Sequence, residues 1–398
     1  MNNLAQYKRL PTPCFVIDEE DLSKSLDRFA AALKEQFPMC IPSLSVKTNS
    51  LPYLLRVARE HGYYAEVVSA DEYELALQCG FSKDHIVYNG PMKSRETFLD
   101  AMEHGALVNI ETFREIGWLM SLDQSKTYSV GIRMNVNISQ ISPEDENHVD
   151  DNSRFGFSAE SSDLIAAVKT IQDMPHIKLN RLHIHRTSRT RSLRFYERLI
   201  DYALTQAERH HLKLEQLDIG GGYYGMMPGK PAYHDYAATF KKAIERHRAA
   251  NSLTVIVEPG NAIVASCFTF VTEVIDVKHH DGANYVTIDG SRIDVDPLFH
   301  KTDYFKQFIY SEPAGQTAPK QVVGGCTCLE FDRLMTLENQ RALQAGDRIV
   351  IDRVGAYTLC FTPLFIRYWP AVYALREDEV KLVRERWDVS KIVSINRR

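Results

Sequence analysis

The sequence predicts an α/β protein: a (β/α)8 barrel followed by a separate β domain. Three observations point to this fold. From about residue 20 to residue 265, eight short apolar or β-branched runs alternate with longer segments of helical periodicity. After residue 265 the β-like runs follow one another with few long helical patterns between them. The chemically unusual residues of the first part fall at the ends of the candidate strands, where a parallel barrel carries its working groups.

The candidate barrel strands are Cys40–Val46, Tyr63–Ser69, His85–Asn89, Ala106–Ile110, Ser129–Asn135, Lys178–His185, Lys213–Ile219 and Leu253–Glu258. Helical patterns lie between them at Ser50–His61, Asp71–Gly80, Ser94–His104, Ser161–Asp173, Ser192–His210 and Tyr233–Ala250. Gly80 and Gly105 sit where a helix C-terminus takes a glycine. Eight β-then-α units in succession predict a closed parallel sheet, and a doubly wound open sheet is the alternative that the same alternation permits. Beyond residue 265, Ser266–Val277, Asn284–Asp289, Gln321–Gly325, Arg348–Asp352 and Ala371–Leu375 read as strands. The first dozen residues, leading into Leu10–Asp18, read as extended and as part of the same β domain. The expected domains are therefore 20–265, the barrel, and 266–398, a β domain completed by 1–19.

A chain of 398 residues suits two domains, and 44% hydrophobic with 25% charged residues is ordinary globular composition. The formal net charge of −5 argues against a nucleic-acid footprint. No apolar run reaches membrane-spanning length, and Met1–Lys8 shows no signal-peptide core, so a cytoplasmic location is expected. The seven cysteines are scattered. Cys326 and Cys328 form the one close pair, no histidine pair follows at zinc-finger spacing, and no metal site is predicted.

Lys47 lies in Pro42–Ser50, where a β-prone stretch gives way to polar residues. A lysine at the tip of a buried strand is costly unless its amine is used, because burial disfavours the charged form. One use is an imine with pyridoxal phosphate, and the bland alternative is a lysine opening a solvated loop. Glu66 and Ser69 end the second candidate strand, and His185 ends the sixth. Gly220-Gly221-Gly222 follow the seventh, and Glu258-Pro259-Gly260 the eighth. A glycine triplet lets the backbone approach an anion and present N–H groups to it, and the loops after strands seven and eight are a recurrent phosphate site in barrels. Glu258 either caps a turn or faces a pyridine nitrogen and keeps it protonated. In Leu182–Ser188 one of His183 and His185 is expected to face the barrel interior. It is either a satisfied core residue or a flat partner for a cofactor ring, with Ser188 near the phosphate.

The set resembles the fold-type III pyridoxal-phosphate decarboxylases, the group of ornithine, diaminopimelate and carboxynorspermidine decarboxylases, whose barrel is alanine racemase-like. The family's Tyr-Ala-x-Lys-x-Asn box appears as Ser45 to Asn49 and its Ala-Ser-x-x-Glu box as Val68 to Glu72. Its His-x-Gly-Ser box appears as His185 to Ser188, with Thr187 for glycine. The triple glycine is intact, and Glu-Pro-Gly-Arg becomes Glu258-Pro259-Gly260-Asn261. Cys-x-x-x-Asp is matched by Cys328 to Asp332 and Gly-Ala-Tyr by Gly355 to Tyr357. The boxes run in the family's order over nearly the whole chain, and the last two favour the decarboxylase branch.

The resemblance implies α-decarboxylation of an amino acid, with Lys47 as the Schiff-base lysine and Cys328 as the proton donor. It implies cofactor contacts from Glu66, His185, Ser188, Gly220, Gly221, Gly222, Glu258, Gly260, Asn261 and Tyr357. It implies a head-to-tail homodimer with shared sites, and no nucleic-acid or membrane partner. Asp332 matches the position that receives a distal amine. The segment Asp296–His300 lacks the arginine-rich stretch associated with plain diaminopimelate. Arg186, Arg189, Arg191 and Arg194 crowd the stretch after His185. They are either a solvated helix start or a pocket for an extra carboxylate, which Arg186 and Arg189 would contact. A diamino acid, a carboxylated polyamine or a citrate-linked amino acid of siderophore assembly fits that pattern. A racemase or epimerase on the same barrel, and a non-catalytic homologue that acts as a binding protein, are the rival classes.

Overall fold

The computed structural model describes residues 4–145 and 153–396, and the chain divides into two compact units. The unit Lys24–Ile263 is a closed parallel barrel. Its strands are Cys40–Ser45, Tyr64–Ser69, Ile86–Met92, Leu107–Ile110, Tyr128–Asn135, Ile177–His183, Gln216–Asp218 and Thr254–Val257. Each pairs with its neighbour in the chain, and the eighth returns to the first, with Val255 opposite Cys40. An open doubly wound sheet is thereby excluded.

The strands read as near-continuous apolar runs because both faces are covered, as in Ile86–Tyr88 and Val255–Val257, which are buried throughout. Helices supply the outer cover through apolar positions that recur at helical spacing. Pro52–Glu60 buries Leu54, Leu55 and Ala58, and Leu193–Arg209 buries Phe195, Tyr196, Leu199, Ile200, Ala203 and Leu204. Side chains at the helix starts satisfy backbone N–H groups that have no partner within the helix: Ser69, Ser94, Thr112 and Ser192 accept from Glu72, Thr97, Glu115 and Phe195.

Four strands end earlier than the pattern predicts, the first at Ser45, the sixth at His183, the seventh at Asp218 and the eighth at Val257. The sixth stops at His183 rather than His185, because its ladder with the seventh ends at the His183–Asp218 pair. The seventh spans only Gln216–Asp218, because Gly220 adopts φ +75° and turns the chain out of the sheet. Behind that turn, the rings of Tyr196, Tyr223, Tyr236 and Phe240 pack with centroids 5.1 to 6.3 Å apart.

The second unit, Met1–Ser23 with Val264–Arg398, is mostly sheet. Cys14–Asp18 lies between Phe268–His280, to which it is antiparallel, and Ala371–Arg376, to which it is parallel. Outward from Phe268–His280 the sheet continues through Ala283–Ile288, Thr317–Gly324 and Arg333–Arg341, and Glu379–Arg384 closes the other edge. Arg348–Asp352 pairs with both Phe268–His280 and Lys306–Ile309. The segment before Cys14 is not wholly extended: Leu4–Tyr7 forms a helical turn, which lets Tyr7 and Leu10 join a core with Cys14, Val16, Val271, Val350 and Leu375. Lys306–Ile309, Arg333–Arg341 and Glu379–Arg384 escape the apolar pattern because many of their side chains are charged or exposed.

Ser94 caps its helix without touching the barrel interior. Ser94→Ala is expected to lower unfolding free energy by about 1 kcal/mol, read as a lower urea midpoint at unchanged slope.

Candidate active site

The first strand delivers Lys47 on a short 3-10 turn, Val46–Thr48. Its Nζ donates to Glu66 Oε2 at 2.5 Å, Ser45 Oγ donates to the same oxygen at 2.7 Å, and Asn89 Nδ2 donates to Glu66 Oε1 at 3.2 Å. Glu66 is 1% exposed. Burial alone would raise its pKa, but the Lys47 charge and the three donors outweigh burial and hold it below the usual carboxylate range. The Lys47 side chain keeps 36% of its exposure, so a small molecule can reach the amine.

Glu258 follows the eighth strand; its Oε1 accepts from Asn89 Nδ2 at 2.5 Å, and its carboxyl lies within 4.8 Å of that of Asp218. Burial, then the neighbouring Asp218 and Glu66 charges, push the Glu258 pKa well up; burial also raises Asp218, to about 6. His183, Asp218 and Glu258 bring their polar atoms within 4.8 Å of one another, and His183 Nε2 lies 3.7 Å from Glu258 Oε2.

Both histidines of the sixth strand's end, rather than one, line this interior. Their rings lie 6.4 Å apart and 17° from parallel. Burial, then the positive charge of Arg133, keeps both neutral, with His185 lowered to about 3. Gly221 N–H donates to His185 Nδ1 at 3.1 Å, which assigns the ring's one hydrogen to Nε2. Arg133 ties the segment down, donating to Glu111 Oε1 at 2.7 Å and to the His185 carbonyl at 3.5 Å.

The glycine turn requires glycine. A Cβ on Gly221 would lie 2.2 Å from the Glu258 carbonyl, and one on Gly220 would lie 2.4 Å from His185 Cβ. Tyr223 and Tyr196 hydroxyls donate to the Gly220 and Gly221 carbonyls. Because a trans peptide points its N–H opposite its carbonyl, the Gly222 amide faces away from Tyr196. Gly260 abuts Thr48, with 2.1 Å from a hypothetical Cβ to Oγ1, and Asn261 opens the turn Asn261–Val264.

Several expected residues do other work. Ser188, expected beside a phosphate, donates to Asp145 Oδ1 at 2.6 Å and accepts from the Arg191 amide, so its hydroxyl anchors its own loop. Asp332, expected to meet substrate, is 3% exposed and accepts from Ser291 Oγ, the Arg292 amide, and both the amide and hydroxyl of Thr327. With its oxygens committed to those donors it braces the loop that carries Cys328, whose thiol is exposed. Tyr357 is 40% exposed, has φ +56° and stacks on Phe361 at 5.8 Å. Arg186 is half-buried and Arg189 exposed, while Arg191 and Lys230 lie over the Tyr224 ring at 5.3 and 5.2 Å. Arg194 and Arg198 face Glu144.

The motifs pass over Asn89, Asn109, Asp218, Glu111, Arg133 and Arg181. A signal for two of them exists: Asn109 interrupts the apolar strand Leu107–Ile110, and Arg181 interrupts Ile177–His183. Polar residues inside short buried strands need partners, and here they are one another's.

A parallel barrel with a reachable lysine on a buried carboxylate, an anion-ready glycine turn and a protonated glutamate is a site for a carbonyl cofactor with a basic ring nitrogen and an anionic tail. The chain belongs to the pyridoxal-dependent decarboxylases: residues 23–265 match the family's pyridoxal binding domain. It is 26% identical to the diaminopimelate decarboxylase of Zymomonas mobilis over 98% of this chain and 93% of that protein. It is 24% identical to the L-glutamyl-[BtrI acyl-carrier protein] decarboxylase of Niallia circulans, over 98% and 95%. Its fold matches diaminopimelate decarboxylase from Helicobacter pylori complexed with L-lysine, at TM-score 0.83 and 22% identity over 99% of both chains. The chain is thus a pyridoxal-phosphate-dependent carboxy-lyase, and the barrel's donor set fits that cofactor.

Asp332→Ala leaves several buried donors without an acceptor. It is expected to destabilise the chain by about 3 kcal/mol, read by urea unfolding, instead of only raising KM.

Proposed function

We propose that this decarboxylase removes the α-carboxylate of an amino acid whose far end carries a further carboxylate. The observation that carries this reading is the basic approach to the barrel mouth. Arg191 and Lys230 flank Tyr224, two residues past the glycine turn, and Arg186 and Arg189 share the loop after the sixth strand. The commitment of Asp332 to its own loop supports it too, since that carboxylate is no longer spare for a distal amine. Diaminopimelate, named for several relatives, belongs to this class, as do carboxylated polyamines and the citrate-linked amino acids of siderophore assembly.

Bound pyridoxal phosphate supplies the electron sink for the bond to the departing carbon dioxide. Lys47 would hold the cofactor through its amine, and Glu66 Oε2, 2.5 Å from Nζ, would accept a proton from that amine. The neutral His185 ring offers a flat face, and Glu258 holds a proton where a ring nitrogen can take it. Gly222, Gly260 and Asn261 would hold the phosphate, with the Gly222 amide as a donor to it. The exposed Cys328 thiol delivers the proton to the carbon that has lost its carboxylate. In the proposed head-to-tail homodimer that thiol is the partner subunit's Cys328. Exposed apolar side chains at Phe331, Phe361 and Ile366 are of the kind that subunits cover.

A panel of amino acids assayed for carbon dioxide release tests the reading. Substrates ending in carboxylate are expected to exceed lysine and ornithine in kcat/KM by about tenfold or more, since a charge-assisted hydrogen bond contributes roughly 1.5–3 kcal/mol. Equal rates across the panel reject it. Arg191→Ala is expected to raise KM for the carboxylate-ended substrates alone, by about tenfold. Lys47→Ala is expected to abolish turnover, and Cys328→Ala to slow it or change the product while cofactor stays bound.

A further inference from the structure

The barrel interior holds more acid than cofactor contact requires. Glu66, Asp218 and Glu258 are 1%, 0% and 4% exposed. The orientation of every hydrogen bond among them follows from Arg181, which can only donate. Arg181 Nε donates to Asn109 Oδ1 at 2.8 Å, which turns Asn109 Nδ2 toward Asn89 Oδ1 and Asp218 Oδ2, at 2.8 and 3.0 Å. Asn89 Oδ1 is thereby an acceptor, so Asn89 Nδ2 must face Glu66 Oε1 and Glu258 Oε1. Asp218 Oδ1 accepts from the Gly220 amide at 3.0 Å. Asp218 thus faces donors at both oxygens, which suits it to the ionised form and leaves Glu258, whose carboxyl lies within 4.8 Å, to carry a hydrogen.

We infer that Asp218 is a positioning residue that stores one proton on Glu258 in the cofactor-free chain, and that this proton passes to the ring nitrogen when pyridoxal phosphate seats. The O–H bond of Glu258 breaks, an N–H bond forms on the ring, and Glu258 is left as the carboxylate facing the new cation. The total charge of the site is unchanged, so no proton from solvent is needed at neutral pH. The inference rests on the family's cofactor and is independent of which amino acid is the substrate. The charged and titratable groups near Glu258 include Asp218, Glu66, Lys47, His183 and Tyr223, with Arg181 behind Asp218. His183 cannot substitute as the proton store: its ring nitrogens have no hydrogen-bond partner among the described residues, and burial keeps it neutral.

The full-length chain stripped of cofactor, and the same chain titrated with pyridoxal phosphate, give the test by difference infrared spectroscopy and by cofactor affinity against pH. Wild type is expected to show a protonated-carboxyl carbonyl band at neutral pH that disappears on cofactor addition and is absent from Glu258→Gln. Asp218→Asn is expected to move the pH midpoint of that band down by about one unit or more and to weaken cofactor affinity about tenfold at about pH 8 but not at about pH 6. Asp218→Glu is expected to restore both. Because Glu258 holds its proton more tightly in the native state than in the unfolded chain, wild-type stability without cofactor is expected to fall as pH rises from the ordinary carboxylate range toward the raised Glu258 pKa, and Glu258→Gln to flatten that fall. Absence of the band in wild type, or an Asp218→Asn chain whose band and affinity profile match wild type, overturns the inference. Should Asp218→Asn not fold, the wild-type band and its response to cofactor decide alone, whatever the substrate panel shows.

Discussion

Arg181 is a guanidinium with no exposed surface in the middle of a barrel, and the polar interior is arranged around it. A group that only donates fixes which end of Asn109 faces it, and Asn109 then fixes Asn89. Through these two amides one cation sets the direction of the hydrogen bonds that reach Glu66, Asp218 and Glu258. Burying such a charge is costly, and it is tolerated because Asn109, the Val108 carbonyl and Gln216 accept its donors while Asp218 supplies the nearby negative charge.

The same economy of charge explains the division of labour among the acids. Glu66 has a cation in contact and stays ionised, whereas Glu258 has another carboxyl in contact and does not. Environment, not residue type, separates two glutamates from the strands on either side of the first into an ionised carboxylate that steadies Lys47 and a carboxyl pushed toward its protonated form. The neutral histidines between them add polarisable surface without adding charge.

The departures from the family pattern fall unevenly. Ser45 keeps a hydroxyl on Glu66, so its replacement of alanine adds a donor to the lysine's counter-ion. Thr187 is exposed, and the loop around it is held by Asp145 through Ser188 and Thr190. Asn261 removes a cation beside the glycine turn, while the Arg186–Arg191 loop and Lys230 concentrate positive charge nearby in the same unit.

The amino-acid order specified the succession of strands and helices, because short apolar runs and period-3.6 patterns are local, while the Val255–Cys40 pairing is what closes the eight units into a barrel instead of an open sheet. It also placed Lys47, the glycine turn and Glu258 at strand ends, because strand termini follow from the same patterns. Only the tertiary structure decided what those residues hold. Asp332 and Ser188 matched motifs but turned to neighbours that the chain brings back from elsewhere, Ser291 and Asp145. Asn89, Asn109, Asp218 and Arg181 carry no motif, since each is ordinary until barrel closure removes water and leaves their polar atoms only one another to satisfy.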